Sequence, residues 1–209
     1  LWRVRFGLHT IAGRKQEKLM IDQQRELAIM LGYNDDDKRL AVEHFMKDYY
    51  LCARHVEQMN ELLIQVFEEN ILLAEKDHKI EPVNRRFQIN SGYLETINSG
   101  IFAYYPYSML ELFLILQQNP KIRGIRANTI RQLHAHLHLI DNTFRADIKN
   151  RSLFMDIIRQ GTGLTHVLLK MNKTGVLGAY IPEFGVIVGQ MQHDLFHTYT
   201  VDQHTLFLV

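Results

Sequence analysis

The sequence predicts an all-α fold, mainly helical, and three observations carry that prediction. Apolar residues recur at three- and four-residue spacing along most of the chain. Gly, Asn and Pro interrupt the pattern about once per short helix. Only one stretch, near 86–97, alternates in the manner of strands around a turn signal, Asn90-Ser91-Gly92.

Taken in order, Leu1, Val4, Leu8 and Ile11 predict a first helix ending at Gly13. Leu19, Gln23, Leu27 and Met30 predict a second over Lys15 to Leu31, with Gly32 in a left-handed C-cap. One long helix is expected near 40–73. Its stripe is Val42, Phe45, Met46, Tyr49, Ala53, Val56, Met59, Leu63, Val66 and Phe67, and no Gly or Pro breaks it. Asp35, Asp36 and Asp37 precede it, where carboxylates favour the positive end of a helix dipole; a metal site is the less economical reading. The polar segment Lys76 to Glu81 ends at Pro82, and a small β-hairpin is expected near 86–97. Leu110, Phe113, Leu114 and Leu116 predict a short apolar helix ended by Asn119-Pro120. Helices then follow over Asn128 to Ile140, Arg151 to Gln160 and Leu164 to Asn172. Thr200 and Gln203 read as a capping box, so a last helix should start near Val201.

Composition narrows the classes. The 209 residues carry 24 Lys+Arg against 23 Asp+Glu, 46% hydrophobic and 22% charged residues, which excludes a disordered chain. A net charge of +1 gives no global field to attract nucleic acid or an anionic membrane. No apolar run approaches the roughly 18 residues that would span a bilayer. Cys52 is the one cysteine, so multi-thiolate metal sites and internal disulfides are excluded and a cytoplasmic location is expected. The sequence opens without Met in one helical pattern and stops in another, as an internal piece of a longer protein would.

Candidate chemistry rests on histidine and arginine. His134 and His138 would share a helix face one turn apart, a spacing compatible with one metal ion, with His136 pointing away. A solvated face is the simpler reading. Arg123, Arg126 and Arg131 could hold phosphate or pair with carboxylates. His193 and His197 are one turn apart if helical, and His204 falls in the first turn of the last helix, a good place for a ligand. A Gly-rich phosphate loop, a Gly-x-Ser-x-Gly elbow and a His-Glu-x-x-His motif are all lacking.

Three strings carry a family resemblance: LWRVRFGLH at 1–9, LGYNDDDKRLAVEHFMKDYYLCARHVEQMNELLIQVFEE at 31–69 and GVLGAYIPEFGVIVGQMQHDLFHTYTVDQHTL at 175–206. They resemble the central region of the bacterial bifunctional uridylyltransferase/uridylyl-removing enzymes that modify PII signal proteins. The resemblance implies a parent with a nucleotidyltransferase domain, a helical domain, an HD phosphohydrolase domain and glutamine-sensing regulatory domains. Such a parent moves UMP from UTP to a tyrosine of PII, removes it when glutamine is abundant, and uses Mg²⁺ or Mn²⁺.

On this resemblance, 1–85 is the helical domain after the transferase domain, 86–190 leads towards the HD domain, and 191–209 begins it. His204 matches the first metal-binding histidine of HD hydrolases. The His193-Asp194 doublet resembles the family's later His-Asp pair but precedes His204 rather than following it, so no complete catalytic site and no tight metal binding are expected of these residues. Two other readings stay open: the helical domain of a glutamine synthetase adenylyltransferase-like enzyme, and a non-catalytic helical interaction module.

Overall fold

The computed structural model describes residues 1–72, 79–191 and 199–208. The residues form two compact units: Leu1–Gln58 with Val186–Leu208, and Met59–Gly185. The described elements are mainly α-helical, with one small four-stranded sheet.

In the first unit, α1 (Trp2–Ala12) ends at Gly13, whose φ of 60° is left-handed as the sequence requires. Helix α2 spans Ile21–Met30, a later start than the predicted Lys15. The reason lies in Glu17, whose carboxylate takes two hydrogen bonds from the Arg5 guanidinium of α1, at 2.8 and 3.1 Å, and so belongs to the connection. The buried face of α2 is Gln24, Leu27 and Ala28, while Met30 is exposed, so the expected stripe is rotated. Its end is a Schellman motif, with the Tyr33 N–H on the Ala28 carbonyl and the Gly32 N–H on that of Ile29. Gly7 lets α1 approach α2, because a Cβ there would sit 2.5 Å from Leu27 Cδ1.

Helix α3 (Ala41–Phe67) continues into a π-helical turn, Glu68–Leu72; Leu73, its expected end, lies outside the described residues. Its N-terminus is held by carboxylates, as the aspartate run suggests. Asp35 Oδ1 accepts the Ala41 N–H at 2.6 Å, Asp36 Oδ1 accepts those of Lys38 and Arg39 at 2.8 and 2.7 Å, and Glu43 accepts that of Leu40 at 3.0 Å. Ala41, Val42, Phe45 and Met46 are buried against Leu27 and Ala28. Val56, Met59, Leu63 and Phe67, expected on a buried face, are each about half exposed: 49%, 54%, 54% and 55%.

In the second unit the hairpin forms where the sequence places it. β2 (Phe87–Asn90) pairs antiparallel with β3 (Tyr93–Thr96) through a two-residue turn in which Ser91 and Gly92 both have positive φ, 53° and 87°. The mainly helical expectation with one hairpin is extended by two strands the pattern did not reveal. β1 (Ile80–Pro82) adds antiparallel to β2 and β4 (Gly124–Ile125) parallel to β3, in the order β1-β2-β3-β4. Both are too short for an alternation to register, and Pro82 is tolerated on an edge strand.

Next come α4 (Ile101–Tyr104) and α5 (Ser108–Gln118), the latter ending at Asn119 as predicted. Helix α6 (Ala127–His136) stops short of the expected Ile140 and tightens into a 3-10 turn, Leu137–Leu139. Five more helices are α7 (Asn142–Ala146), α8 (Ile148–Arg159), α9 (Leu164–Lys173), α10 (Val176–Tyr180) and α11 (Pro182–Ile187). Asp141 and Asp147 cap α7 and α8 through the N–H groups of Phe144 and Lys149. The last element, α12 (Val201–Phe207), returns to the first unit and starts at the expected residue.

Two substitutions check this account. Phe113→Ala, at a fully buried position of α5, should lower stability by about 3–5 kcal/mol in chemical denaturation, whereas Leu63→Ala should move it by less than about 0.5 kcal/mol. Asp36 is held below its ordinary carboxylate range, first by the Lys38 N–H and then by that of Arg39. Its folded value therefore lies below its unfolded one. Its contribution to stability is complete above the unfolded value and fades as pH falls through the folded one. Asp36→Ala should make the acid limb of the stability curve shallower below about pH 4.

Candidate functional site

The residue that family resemblance singles out, His204, lies in the first turn of α12, its N–H bonded to the Thr200 carbonyl at 2.9 Å. The predicted capping box does not form, since the Thr200 side chain makes no cap hydrogen bond. The helix is anchored instead by its second residue. Asp202 is 2% exposed, accepts the Gly189 N–H at 3.0 Å and lies 3.6 Å from the Arg54 guanidinium of α3. Burial pushes the Arg54 guanidinium down, and the Asp202 and Glu57 charges oppose that shift. Gly189 stands at φ +72°, with Leu51 within 3.0 Å of where a Cβ would be. Leu206 is buried, and the Val201 N–H bonds the Gln190 carbonyl at 2.8 Å. With Asp202 turned inward, His204 is presented on the exposed side of the helix.

This arrangement offers one imidazole. Among the described residues no group of three or more His, Cys, Asp and Glu side chains comes together as a metal site would need. Asp202 is committed to the Gly189 amide and Arg54. The described donors therefore do not by themselves fit a divalent cation. His193, Asp194 and His197 lie outside the described residues.

The other histidines are arranged differently from the sequence expectation. Because α6 ends at His136, His134 and His138 are not on one continuous α-helical face. His136, expected to point away, has Nδ1 2.7 Å from the Gln132 carbonyl, to which it donates, and its ring packs against Phe102. The rings of His136 and His138 stack at 6.3 Å.

Arg123, Arg126 and Arg131 do not converge on a phosphate either. Arg126 is enclosed between carboxylates, 3.5 Å from Glu69 and 3.1 Å from Glu95. The Arg123 side chain passes under Gly92, and Arg131 bonds Asn128. For Arg126 the carboxylate pairing holds.

A cationic cavity of about 380 Å³ escaped the sequence reading. It is lined by Lys38, Arg39, Glu43, Lys47, Gln190, Met191 and Val201, all in the first unit. Its signal was hidden because Asp35, Asp36 and Asp37 balance the neighbouring cations in any count along the chain.

The described residues are mainly helical and expose His204 on α12, and comparison with known proteins gives the chain its family. Residues 1–64 match the family profile "GlnD PII-uridylyltransferase", and residues 87–180 match "Uridylyltransferase GlnD third domain". Over all 209 residues the chain is 54% identical to the bifunctional uridylyltransferase/uridylyl-removing enzyme of Nitrosococcus oceani. It is 49% identical to the enzymes so named from Pseudomonas putida GB-1 and Pseudomonas aeruginosa LESB58. The chain belongs to this family and spans 23% of the length of each of these relatives. No solved structure gives a significant match. No helix among the described residues is long and apolar enough to cross a membrane.

Removing the buried carboxylate tests the anchoring of α12. Asp202→Ala leaves Arg54 short of a counter-charge and should cost about 3 kcal/mol, read as a lower denaturation midpoint; His204→Ala should leave that midpoint nearly unchanged.

Proposed function

We propose that this chain is the helical connecting region of a PII uridylyltransferase/uridylyl-removing enzyme. The whole protein transfers UMP from UTP to a tyrosine of PII and hydrolyses it off in response to glutamine, in the cytoplasm and with Mg²⁺ or Mn²⁺. The observation that carries the reading is identity of about half over the whole chain to relatives named for both activities. Residues 1–85 form the helical domain that follows the nucleotidyltransferase domain, 86–190 lead to the HD domain, and 191–209 begin it. The profile for a third domain over 87–180 supports the middle assignment.

The far part of α3 packs against the transferase domain in the whole protein. Met59, Leu63, Phe67 and Ile71 support this, since they recur at helical spacing and are all exposed in this chain. His204 contributes one ligand to the HD metal, and residues elsewhere in the protein supply the rest. When bound, the metal lowers the pKa of a water and orients it on the phosphoryl group. This chain's part is to hold the imidazole in place through the Asp202 anchor of α12.

Two experiments test the reading. The 209-residue chain incubated with PII, UTP and Mg²⁺ should give no mass gain on PII; turnover would sink the claim. In the full-length protein, His204→Ala should slow UMP removal by at least about 100-fold and leave UMP transfer near its original rate. Equal loss of both activities would count against a ligand role.

A further inference from the structure

The cavity at the start of α3 has a charge pattern that solvation of a helix end does not explain. Three cationic side chains, Lys38, Arg39 and Lys47, line about 380 Å³ of space together with one carboxylate, Glu43. Of the nearby carboxylates, those of Asp35, Asp36 and Glu43 hydrogen-bond other groups rather than these cations. Asp35 accepts the Ala41 N–H. Asp36 accepts the N–H groups of Lys38 and Arg39 through one oxygen and meets the His44 ring, at 2.9 Å, through the other. Glu43 is engaged by the Leu40 N–H. Among the described residues, no ion pair joins Lys38, Arg39 or Lys47 to a carboxylate.

Lys47 shows the consequence. Its Nζ donates to the Val186 carbonyl at 3.0 Å, a neutral partner for a charged group. Burial pushes the ammonium down, the nearby Arg39 charge adds to the shift and the Asp48 charge opposes it. Three cations against one carboxylate leave the cavity lining net positive, and an anionic ligand offsets the remaining repulsion while gaining charge-assisted hydrogen bonds. The Gln190 amide adds a neutral hydrogen-bonding group, and Met191 and Val201 give the cavity an apolar wall. The volume lies within the range of small-molecule sites and exceeds the need of a single oxyanion.

We propose that the cavity lined by Lys38, Arg39, Lys47 and Gln190 binds the phosphate chain of a small phosphorylated anion, with Met191 and Val201 against its less polar part. Lys38, Arg39 and Lys47 supply the cations, and the Val186 carbonyl holds the Lys47 ammonium in place. The site lies wholly in the first unit and does not depend on His204 or on any metal.

Calorimetry on the 209-residue chain without divalent ions tests this, using inorganic pyrophosphate and UTP as probes. Both should bind, and the paired substitution Lys38→Ala/Arg39→Ala should weaken each by at least about tenfold, the equivalent of about 1.4 kcal/mol. Lys149→Ala, at a cation outside the cavity, should leave both affinities unchanged. Equal affinities for the two probes assign recognition to the phosphate chain alone; tighter UTP binding means that the nucleoside is also read. Absence of binding by either probe overturns the proposal, as does a double variant that binds like the parent or a loss as large in Lys149→Ala. Lys38 is exposed and Arg39 half-buried, and neither belongs to the core, so an unchanged melting temperature should accompany the loss of binding.

Discussion

Helix α5 has almost no surface to give to solvent, and the second unit is arranged around that constraint. Met109, Leu110, Leu112 and Phe113 are wholly buried, and Ile115 and Leu116 nearly so, which leaves Glu111, Gln117 and the terminal Gln118 as its polar outlets. A helix that is apolar all round must be enclosed. Helices α4, α8 and α9 pack against it, and each brings its own apolar face: Phe102, Ile157, Val167, Leu168 and Met171. The polar outlets are used as well. Glu111 pairs with Arg86 next to the sheet, and the Gln117 amide donates to the carbonyls of Ile157 and Thr162.

A second device in the same unit is electrostatic. Glu69, set by the π-helical turn that follows α3, accepts from the Gln65 amide and from the Ala127 N–H at the start of α6, and faces Arg126. Gln65 also donates to the Ile125 carbonyl at 2.7 Å. One carboxylate thus ties the helix end, the short strand β4 and the next helix together. Removing one member of such a partly buried network leaves the others desolvated without partners, so Arg126 is bound to a structural task by its surroundings.

What could be read from the sequence follows from how local each signal is. The ends of α1 and α2, the aspartate-held start of α3, the hairpin turn and the start of α12 depend on a few neighbouring residues, and all were legible. The start of α2 was misread because Glu17 answers to Arg5 across the turn. The capping box at Thr200 was misread because Asp202 is drawn inward by Arg54 and Gly189. The strands β1 and β4 are visible only through their partners, since three and two residues carry no period of their own. The candidate site divides in the same way: His204 was found through family strings, whereas the cationic cavity depends on residues far apart in the chain.

The sequence by itself determined the mainly helical class, the family and the position of the one candidate ligand, because periodicity, capping residues and long matching strings are properties of contiguous residues. Only the tertiary structure decided which cations are free to act. Arg126 is closed in by Glu69 and Glu95, while among the described residues no carboxylate pairs with Lys38 or Arg39, Asp35 and Asp36 being turned to backbone amides and to His44. Charge counted along a chain cannot show this, for a carboxylate neutralises the group it meets in space, and hydrogen bonding at a helix start selects that group.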